Sequence, residues 1–582
     1  MFALVIGGGI FVYFLPSLLA VWRRVPEKRQ ICALNLYLGW TVIAWTTALQ
    51  WALHLRSNRP SSREFLRPGS WSALRRRFSR SRWFWTGGLL AVSAVFIYLS
   101  LFVWPATPRL VPTDQFINFD DARRMAGGEK LYADIFQYTT PGTELLELGL
   151  IKLFGVRIVL LNVLMMVVGL VDAWLAMLLA SSVLEDWDAA LVALLFLCFG
   201  FHCSLGATHH PFSVMFVYAA AAAIIRRRDP LRLATAGTLL GLATAFTQTR
   251  GLAVIAIAGF VAWENGTRPA ANRRLWRDEL SLLAPFAAIV GAACVYVIWN
   301  AGVDRFIRYI VEFPLLYYRQ GASNTWATSF AIYIPTLRGF AQWALIKLLV
   351  PAAYLVFAVY WWRRPKTFLS PRLLLLTVVG VSLFATVAYA PLHQRLAEVS
   401  LPAFILAVWM ANRVGDWWWK IPAWGAAVAF VTLAPITIQR SHYWYFDSSA
   451  GRIATSRPEA IEEYAWLRDH TKPGDYFFAD NSPRLYVLLG LHNPSRLPFV
   501  EPNDYTRPTQ VASMVRRLTM TKPRFVLWGV NPTDFDDPGD RLFPVGELLR
   551  HCYHPVRPLL DGVIWQRDAQ GCVDQGLPIA AQ

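Results

Sequence analysis

A polar segment in the first quarter of the chain carries residue types that suit acid–base chemistry. Asp114, Asp121 and Asp134 lie close together there. A positioned carboxylate can take the proton from a hydroxyl group as that hydroxyl attacks an electrophile. Asp120, Asp121 and Asp134 can instead cap helices or pair with Arg123 and Arg124. The segment therefore offers three candidates for a general base, with structural roles as the alternative.

Cationic and imidazole side chains occur where apolar segments end, and arginine can bind phosphate oxygens through two parallel hydrogen bonds. The break Thr247–Gly251 between two apolar runs is the most informative, because a charge such as Arg250 is costly at that depth unless it is paired or functional. A side chain that reaches up to lipid headgroups is the alternative for each arginine, and an interfacial pair is the alternative for the histidines. The substrate-binding candidates are His209, His210, Arg250, Arg319, Arg338, His393 and Arg395.

The cysteines and histidines show no spacing typical of metal ligands. We therefore expect no cofactor, although a single ion bound by carboxylates stays open. Four of the six cysteines lie in apolar runs and are expected to be packing residues. Cys552 and Cys572 lie in a polar segment and can pair if it faces an oxidising compartment.

The elements that must position these residues are membrane helices. Of 582 residues, 55% are hydrophobic and 16% are charged, whereas about a quarter of the residues are charged in soluble proteins. Apolar runs of about 17–25 residues can each cross a hydrocarbon core of about 30 Å. We predict eleven core spans, at about 84–105, 156–183, 189–206, 211–225, 231–248, 250–263, 281–299, 340–362, 372–390, 396–412 and 422–438.

The net charge of +18 comes from arginines in short loops and in the linker 56–82. If the spans alternate, these basic loops share one side, which the positive-inside rule makes cytoplasmic. Membrane topology thus explains the charge, and no nucleic-acid partner is expected. We predict a multi-pass protein of a bacterial inner membrane, in contact with membrane lipids, with the loop 106–155 on the periplasmic side.

The last segment, 440–582, is polar enough to form a separate soluble domain on the same side as that loop. It alternates strand-like runs, such as Tyr476–Ala479 and Phe525–Trp528, with helix-like runs, such as Pro458–Asp469 and Pro508–Leu518. This alternation predicts a small α/β domain.

The N-terminal segment 1–55 contains two further apolar runs joined by a basic loop and is expected to be a membrane hairpin. Its string Leu34-Asn-Leu-Tyr-Leu-Gly-Trp-Thr41, with Tyr13–Ala20 before it, resembles the superinfection immunity protein family. A generic hairpin anchor is the alternative for its role in this chain. Segment 83–439 would then be the main membrane domain.

The first outer loop resembles that of GT-C glycosyltransferases of the protein O-mannosyltransferase and lipid A aminoarabinose transferase type. In that family an Asp-Glu pair precedes a Met, a Gly, a Tyr-x-Asp string and a Pro. The corresponding residues here are Asp114-Gln115, Met125, Gly128, Tyr132-Ala-Asp134 and Pro141. The sequence departs from the pattern at Gln115, which replaces the second acid.

This resemblance implies a polytopic α-helical GT-C enzyme that moves a hexose or pentose, with inversion, from a polyprenyl-phosphate donor to an acceptor. Phosphate is already a good leaving group, so one general base suffices, and we favour Asp114. A transporter or flippase of lipid-linked glycans is one alternative; it predicts charges buried within spans and inverted repeats, and the sequence shows little of either. A non-enzymatic immunity or interaction protein is the other, but it leaves the chain after residue 55 without a role.

Overall fold

The computed structural model describes residues 16–22, 28, 31–32, 35, 82–111, 113–267, 274–318, 325–330, 337–363, 370–414, 419–503, 505–529 and 537–568. It contains two compact units, Met1–Arg82 and Trp83–Gln582. In the first unit residues 16–22 are helical, and Asn35 Nδ2 donates a hydrogen bond of 2.9 Å to Ser17 Oγ. Most of the predicted hairpin 1–55 and nearly all of the linker 56–82 lie outside the described residues.

Each of the eleven predicted spans coincides with a helix, because long apolar runs have no other way to satisfy their backbone in a bilayer. Within the described part of the chain, seven helices are long and apolar enough to cross a membrane: Phe84–Leu101, Val159–Ala180, Asp186–Cys203, Leu275–Ala301, Gln342–Arg363, Pro371–Ala388 and Lys420–Arg440. Four are shorter: His209–Ile224, Pro230–Phe246, Leu252–Thr267 and Leu401–Val414. The chain is thus a multi-pass membrane protein.

Two of the long helices change their hydrogen-bonding pattern along their length. The third span runs from Asp186–Leu195 through a π-helical turn, Phe196–Gly200, into a 3₁₀ turn, Phe201–Cys203. The span that ends at Arg363 contains the π-helical turn Leu345–Leu349. Such turns are common at functional sites. Short helical pieces between the spans are Val303–Phe306, Ile307–Glu312, Phe313–Leu316, Trp326–Phe330 and His393–Glu398. The helix Leu337–Ala344 leads directly into the π-helical turn Leu345–Leu349.

The first loop has structure of its own. Strands β1 (Phe102–Val103) and β2 (Thr107–Pro108) form a small hairpin. The helix Gln115–Ala126, called here the loop helix, follows, and a second helix spans Gly142–Phe154.

The C-terminal segment is an α/β domain, as predicted. Strands β3 (Trp444–Ser448) and β4 (Gly451–Thr455) pair antiparallel. A four-stranded sheet has the order β5-β6-β8-β7, with β5 (Phe477–Ala479) parallel to β6 (Phe525–Trp528) and antiparallel pairing of β7 (Tyr553–Leu559) and β8 (Gly562–Arg567). Its helices are Pro458–His470, Arg484–Leu489, Pro508–Thr521 and Phe543–Cys552. Cys552 is disulfide-bonded, and Cys572 lies outside the described residues.

Backbone hydrogen bonds join the first loop to this domain. Leu110 N donates to Ala454 O at 2.8 Å, and Phe136 N donates to Arg496 O at 2.8 Å. One apolar core extends from the membrane helices through the loop helix into the C-terminal domain. The loop is therefore held between the helical bundle and the sheet domain.

Candidate active site

Asp114 lies directly before the loop helix, with its side chain exposed. An aspartate at a helix N-terminus usually accepts a backbone hydrogen bond, but the Asp114 side chain makes no such capping bond. The surrounding protein desolvates the carboxylate and raises its pKa, while the positive charge of Arg395 acts in the opposite direction. The Asp114 carboxylate thus makes no capping hydrogen bond and has an increased basicity. It lies within electrostatic range of Arg395.

The position of Asp114 is fixed by its neighbour Gln115. The Gln115 side chain donates to Val111 O at 2.8 Å and accepts a hydrogen bond from Ala207 N at 3.0 Å. A carboxylate could not make both bonds, since it has no donor when ionised. Thr113 also approaches Gly206 so closely that a Cβ there would lie 2.1 Å from its hydroxyl oxygen. These contacts place Asp114 beside the segment that leads into the helix beginning at His209, and they explain the departure at Gln115.

The other acids near the loop helix have structural partners. Asp120 is buried, and its carboxylate receives two hydrogen bonds from Arg123, which also donates to Leu491 O. The Asp134 carboxylate accepts a hydrogen bond of 3.0 Å from Lys130 N. Asp134 also lies toward the far end of the loop helix, beside Arg124. The pairing role that the sequence left open thus applies to Asp120, and Asp134 closes a turn.

Asp121 belongs to a buried group of acids with Glu144 and Glu147. Gln137 Nε2 donates to Glu144 at 3.0 Å and lies 3.5 Å from an Asp121 oxygen. Burial raises the pKa of all three carboxyls, that of Glu144 to about 7. Because Asp121 is only 1% exposed, an acceptor cannot reach it in this conformation.

Arg250 lies in the break predicted between two spans. The first helix ends at Phe246, Thr247 is extended, and a 3₁₀ turn spans Gln248–Gly251. The guanidinium donates to the hydroxyls of Ser213 and Thr386, and its second terminal nitrogen, Nη2, has no hydrogen-bond partner among the described residues. A buried cation held by neutral hydroxyls, with one free donor, suits an anionic ligand.

The first loop also contacts this break. Gln248 Nε2 donates to Tyr138 O at 2.8 Å, and Thr140 Oγ1 donates to Thr244 O at 2.9 Å. The loop and Arg250 are therefore parts of one site.

Arg395 connects the loop to a cluster of aromatic rings. Its guanidinium donates to the Tyr318 hydroxyl and lies 5.4 Å from the centre of that ring. Tyr318 packs against Tyr138 of the first loop, and Tyr138 packs against Tyr505 of the C-terminal domain. Three distant segments thus meet around Arg395.

The candidate histidines fall into two places. The rings of His209 and His210 lie 4.0 Å apart, and both interact electrostatically with Arg250 and Arg395. His393 lies 3.6 Å from Cys203 Sγ and near the charge of Lys347. The structure thus brings His209 and His210 together with two of the four candidate arginines. Arg319 and the side chain of Arg338 lie outside the described residues.

Three charged residues that the sequence analysis did not single out lie in or beside this site. Glu398 accepts a hydrogen bond from Ser204 and interacts with Arg250, and Asp172 interacts with Glu398. Lys347 is buried in the π-helical turn and donates to Pro391 O. The expectation of few charges within spans was wrong, since Asp172 and Lys347 are both buried in spanning helices. Both residues could have been singled out from the sequence, because an ionisable side chain inside a predicted span is itself a sign of a functional site.

No group of three or more His, Cys, Asp or Glu residues in the described part of the chain is arranged to hold a metal ion.

Comparison with solved structures identifies the fold. The ArnT enzyme of Cupriavidus metallidurans is 14% identical in its apo state, with a TM-score of 0.54 over 84% of this chain and 98% of that chain. Its complex with undecaprenyl phosphate gives a TM-score of 0.53 at 14% identity, over 83% and 98% of the two chains. The archaeal oligosaccharyltransferase AglB of Archaeoglobus fulgidus, with an inhibitory peptide and a dolichol-phosphate, gives 0.51 at 12% identity, over 84% and 75%.

The chain therefore has the fold of GT-C membrane glycosyltransferases, which confirms the fold that the loop resemblance implied. The sequence model of the superinfection immunity protein family matches residues 12–53, so the resemblance of the N-terminal hairpin is confirmed as well. A search of curated proteins with this sequence finds no significant match.

Proposed function

We propose that this protein transfers a sugar from a polyprenyl-phosphate donor to an acceptor at the periplasmic face of a bacterial inner membrane. The observation that carries the proposal is the position of Arg395, which donates a hydrogen bond to Tyr318 next to Tyr138 of the first loop. From there its positive charge acts on the exposed Asp114 carboxylate. Arg250 lies within electrostatic range of Arg395, and its Nη2 donor has no hydrogen-bond partner in the described part of the chain. The shared fold supports the donor class, since the related structures hold dolichol-phosphate and undecaprenyl phosphate.

The reaction needs one base and a place for the departing phosphate. Asp114 takes the proton from an acceptor hydroxyl, and the hydroxyl oxygen attacks the anomeric carbon. The bond from that carbon to the phosphate oxygen breaks, and the electron pair leaves with the polyprenyl phosphate. Arg395 and Arg250 stabilise the charge that develops on this phosphate. Attack on the face opposite the phosphate inverts the anomeric centre, and the sugar is a hexose or a pentose.

A transporter is expected to have charges buried within its spans, and Asp172 and Lys347 meet that expectation. A transporter does not explain how these charges are arranged. Asp172 interacts with Glu398, Glu398 with Arg250, and Lys347 lies near His393. These charges therefore gather around one site next to the loop. This arrangement favours a reaction centre at one face of the membrane.

A transfer assay tests the proposal. The purified full-length protein, in nanodiscs with a polyprenyl-phosphate sugar labelled in the sugar, is expected to move the label to an acceptor in a cell-envelope extract and to release polyprenyl phosphate. Protein denatured by heat serves as the control. Failure to release polyprenyl phosphate from a panel of hexose and pentose donors would refute the proposal.

The orientation of the chain can be measured independently. Cysteines introduced near residues 140 and 500 should react with a membrane-impermeant reagent added from outside, and cysteines near residues 227 and 365 should react only after permeabilisation. This outcome follows from the basic loops on one side. Labelling near residue 500 only from the cytoplasm would contradict a periplasmic site. Backbone hydrogen bonds join the first loop to the C-terminal domain, so both must lie on the same side of the membrane.

A further inference from the structure

A polar cavity, separate from the proposed transfer site, lies between the C-terminal end of the loop helix and the C-terminal domain. Its volume is about 640 Å³. Arg124 and Asp134 line it from the loop side, and Arg496 and Arg517 line it from the C-terminal domain. Nothing in the proposed transfer chemistry uses these residues.

The charge of the cavity is unbalanced. Four arginines line it, namely Arg124, Arg496, Arg516 and Arg517, and two acids line it, namely Glu129 and Asp134. Four positive charges against two negative charges leave a net charge of +2. Like charges held close together repel each other, so an unfilled arginine cluster of this kind costs stability.

The arginines around the cavity also carry hydrogen-bond donors that outnumber the nearby acceptors. Arg124 is 4% exposed and pairs with Glu129 at 2.6 Å, but its Nη1 atom has no hydrogen-bond partner among the described residues. The buried Nε of Arg496 likewise has none there. Burial lowers the pKa of Arg517, and the charges of Arg496 and Arg124 lower it further. Buried donors without acceptors are rare in folded proteins, and each is available to an anion or a water that enters the cavity.

We infer that this cavity binds a phosphate-type dianion through Arg124, Arg496 and Arg517. A phosphate monoester carries about two negative charges at neutral pH, which matches the excess of +2. Its three free oxygens can accept hydrogen bonds from several guanidinium groups at once, often in bidentate pairs.

The place of the cavity relative to Asp114 identifies the molecule that would carry this phosphate. Arg124 lies ten residues beyond Asp114 along a helix, hence about 15 Å away at 1.5 Å per residue. An acceptor with its hydroxyl at Asp114 and a phosphate one or two sugar units away would reach both points. This assignment to the acceptor rests on the proposed function, whereas the anion site itself does not.

The test is calorimetric titration of the purified full-length protein with inorganic phosphate. Wild type is expected to bind phosphate saturably, and the double variant Arg496→Gln/Arg517→Gln at least tenfold more weakly. Arg452→Gln, an exposed arginine on β4, serves as the matched control and should bind like wild type. Arg516→Gln, at an exposed residue that lines the cavity, removes one of its four positive charges and should also weaken phosphate binding, so it keeps the test valid if the double variant does not fold.

Two further arms identify the source of the anion. In phosphatidylcholine nanodiscs, adding phosphatidylglycerol should leave phosphate affinity unchanged if the ligand is a soluble phosphate, and should lower it about tenfold if a lipid headgroup occupies the cavity. The variant Asp114→Asn should bind phosphate like wild type even where transfer is lost, which separates this site from the reaction. Absence of saturable binding, or equal affinity in the double variant and in Arg452→Gln, would overturn the inference.

Discussion

Replacement of Arg395 by glutamine is expected to lower kcat/KM for a polyprenyl-phosphate sugar by about 10²–10³, the effect of removing one strong donor from a developing anion. Glutamine keeps a hydrogen-bonding side chain but loses the positive charge that acts on Asp114. The kcat/KM of Arg395→Lys should fall between those of wild type and Arg395→Gln, since lysine keeps the charge and loses the planar fork that binds two oxygens. Steady-state rates with varied donor concentration measure the effect.

Two controls separate phosphate binding from a structural role of Arg395. Tyr318→Phe removes the hydrogen bond between these side chains and should change kcat/KM by only a few-fold. Arg308→Gln alters an exposed arginine that pairs with Asp304 and should have no effect. A loss in Tyr318→Phe as large as in Arg395→Gln would show that Arg395 acts by holding the aromatic cluster.

The membrane part of the fold could be predicted from the sequence because hydrophobic length alone determines it. Each predicted span became a helix, and the break at Thr247–Gly251 interrupts the helices as expected. The strands at Phe477–Ala479 and Phe525–Trp528 were also predicted, since short apolar runs between polar turns leave few alternatives. These features depend on residues close together in the chain.

The arrangement of the site could be predicted only in part. Arg395 was a candidate because of its place at a span end, but its contact with Tyr318 depends on how distant segments pack. The burial of Asp121 was also hidden, because the loop helix is covered on more than one side by the second loop helix and the C-terminal domain. Lys347 differs, since a lysine within an apolar span is visible in the sequence.

Asp114→Asn is expected to lower turnover by about 10²–10⁴, the usual contribution of a positioned general base. Asparagine keeps the size of the side chain and removes its basicity. Folding should be nearly unchanged, because the Asp114 side chain makes no capping hydrogen bond that could be lost. Turnover of the wild type should rise with pH as Asp114 ionises, with a midpoint above that of an ordinary aspartate because desolvation by the surrounding protein raises its pKa. The variant should lose this rise.

Asp120→Asn is the matched control, because it changes the same residue type on the same helix. It breaks the buried pair with Arg123, so it should lower the melting temperature while the folded fraction turns over at a nearly normal rate. Normal turnover in Asp114→Asn together with collapse in Asp121→Asn or Asp134→Asn would move the base to that residue. Normal turnover in all three variants would mean that this loop does not carry the base. The proton would then have to go to another acid of the site, such as Glu398, which interacts electrostatically with Arg250 and Arg395.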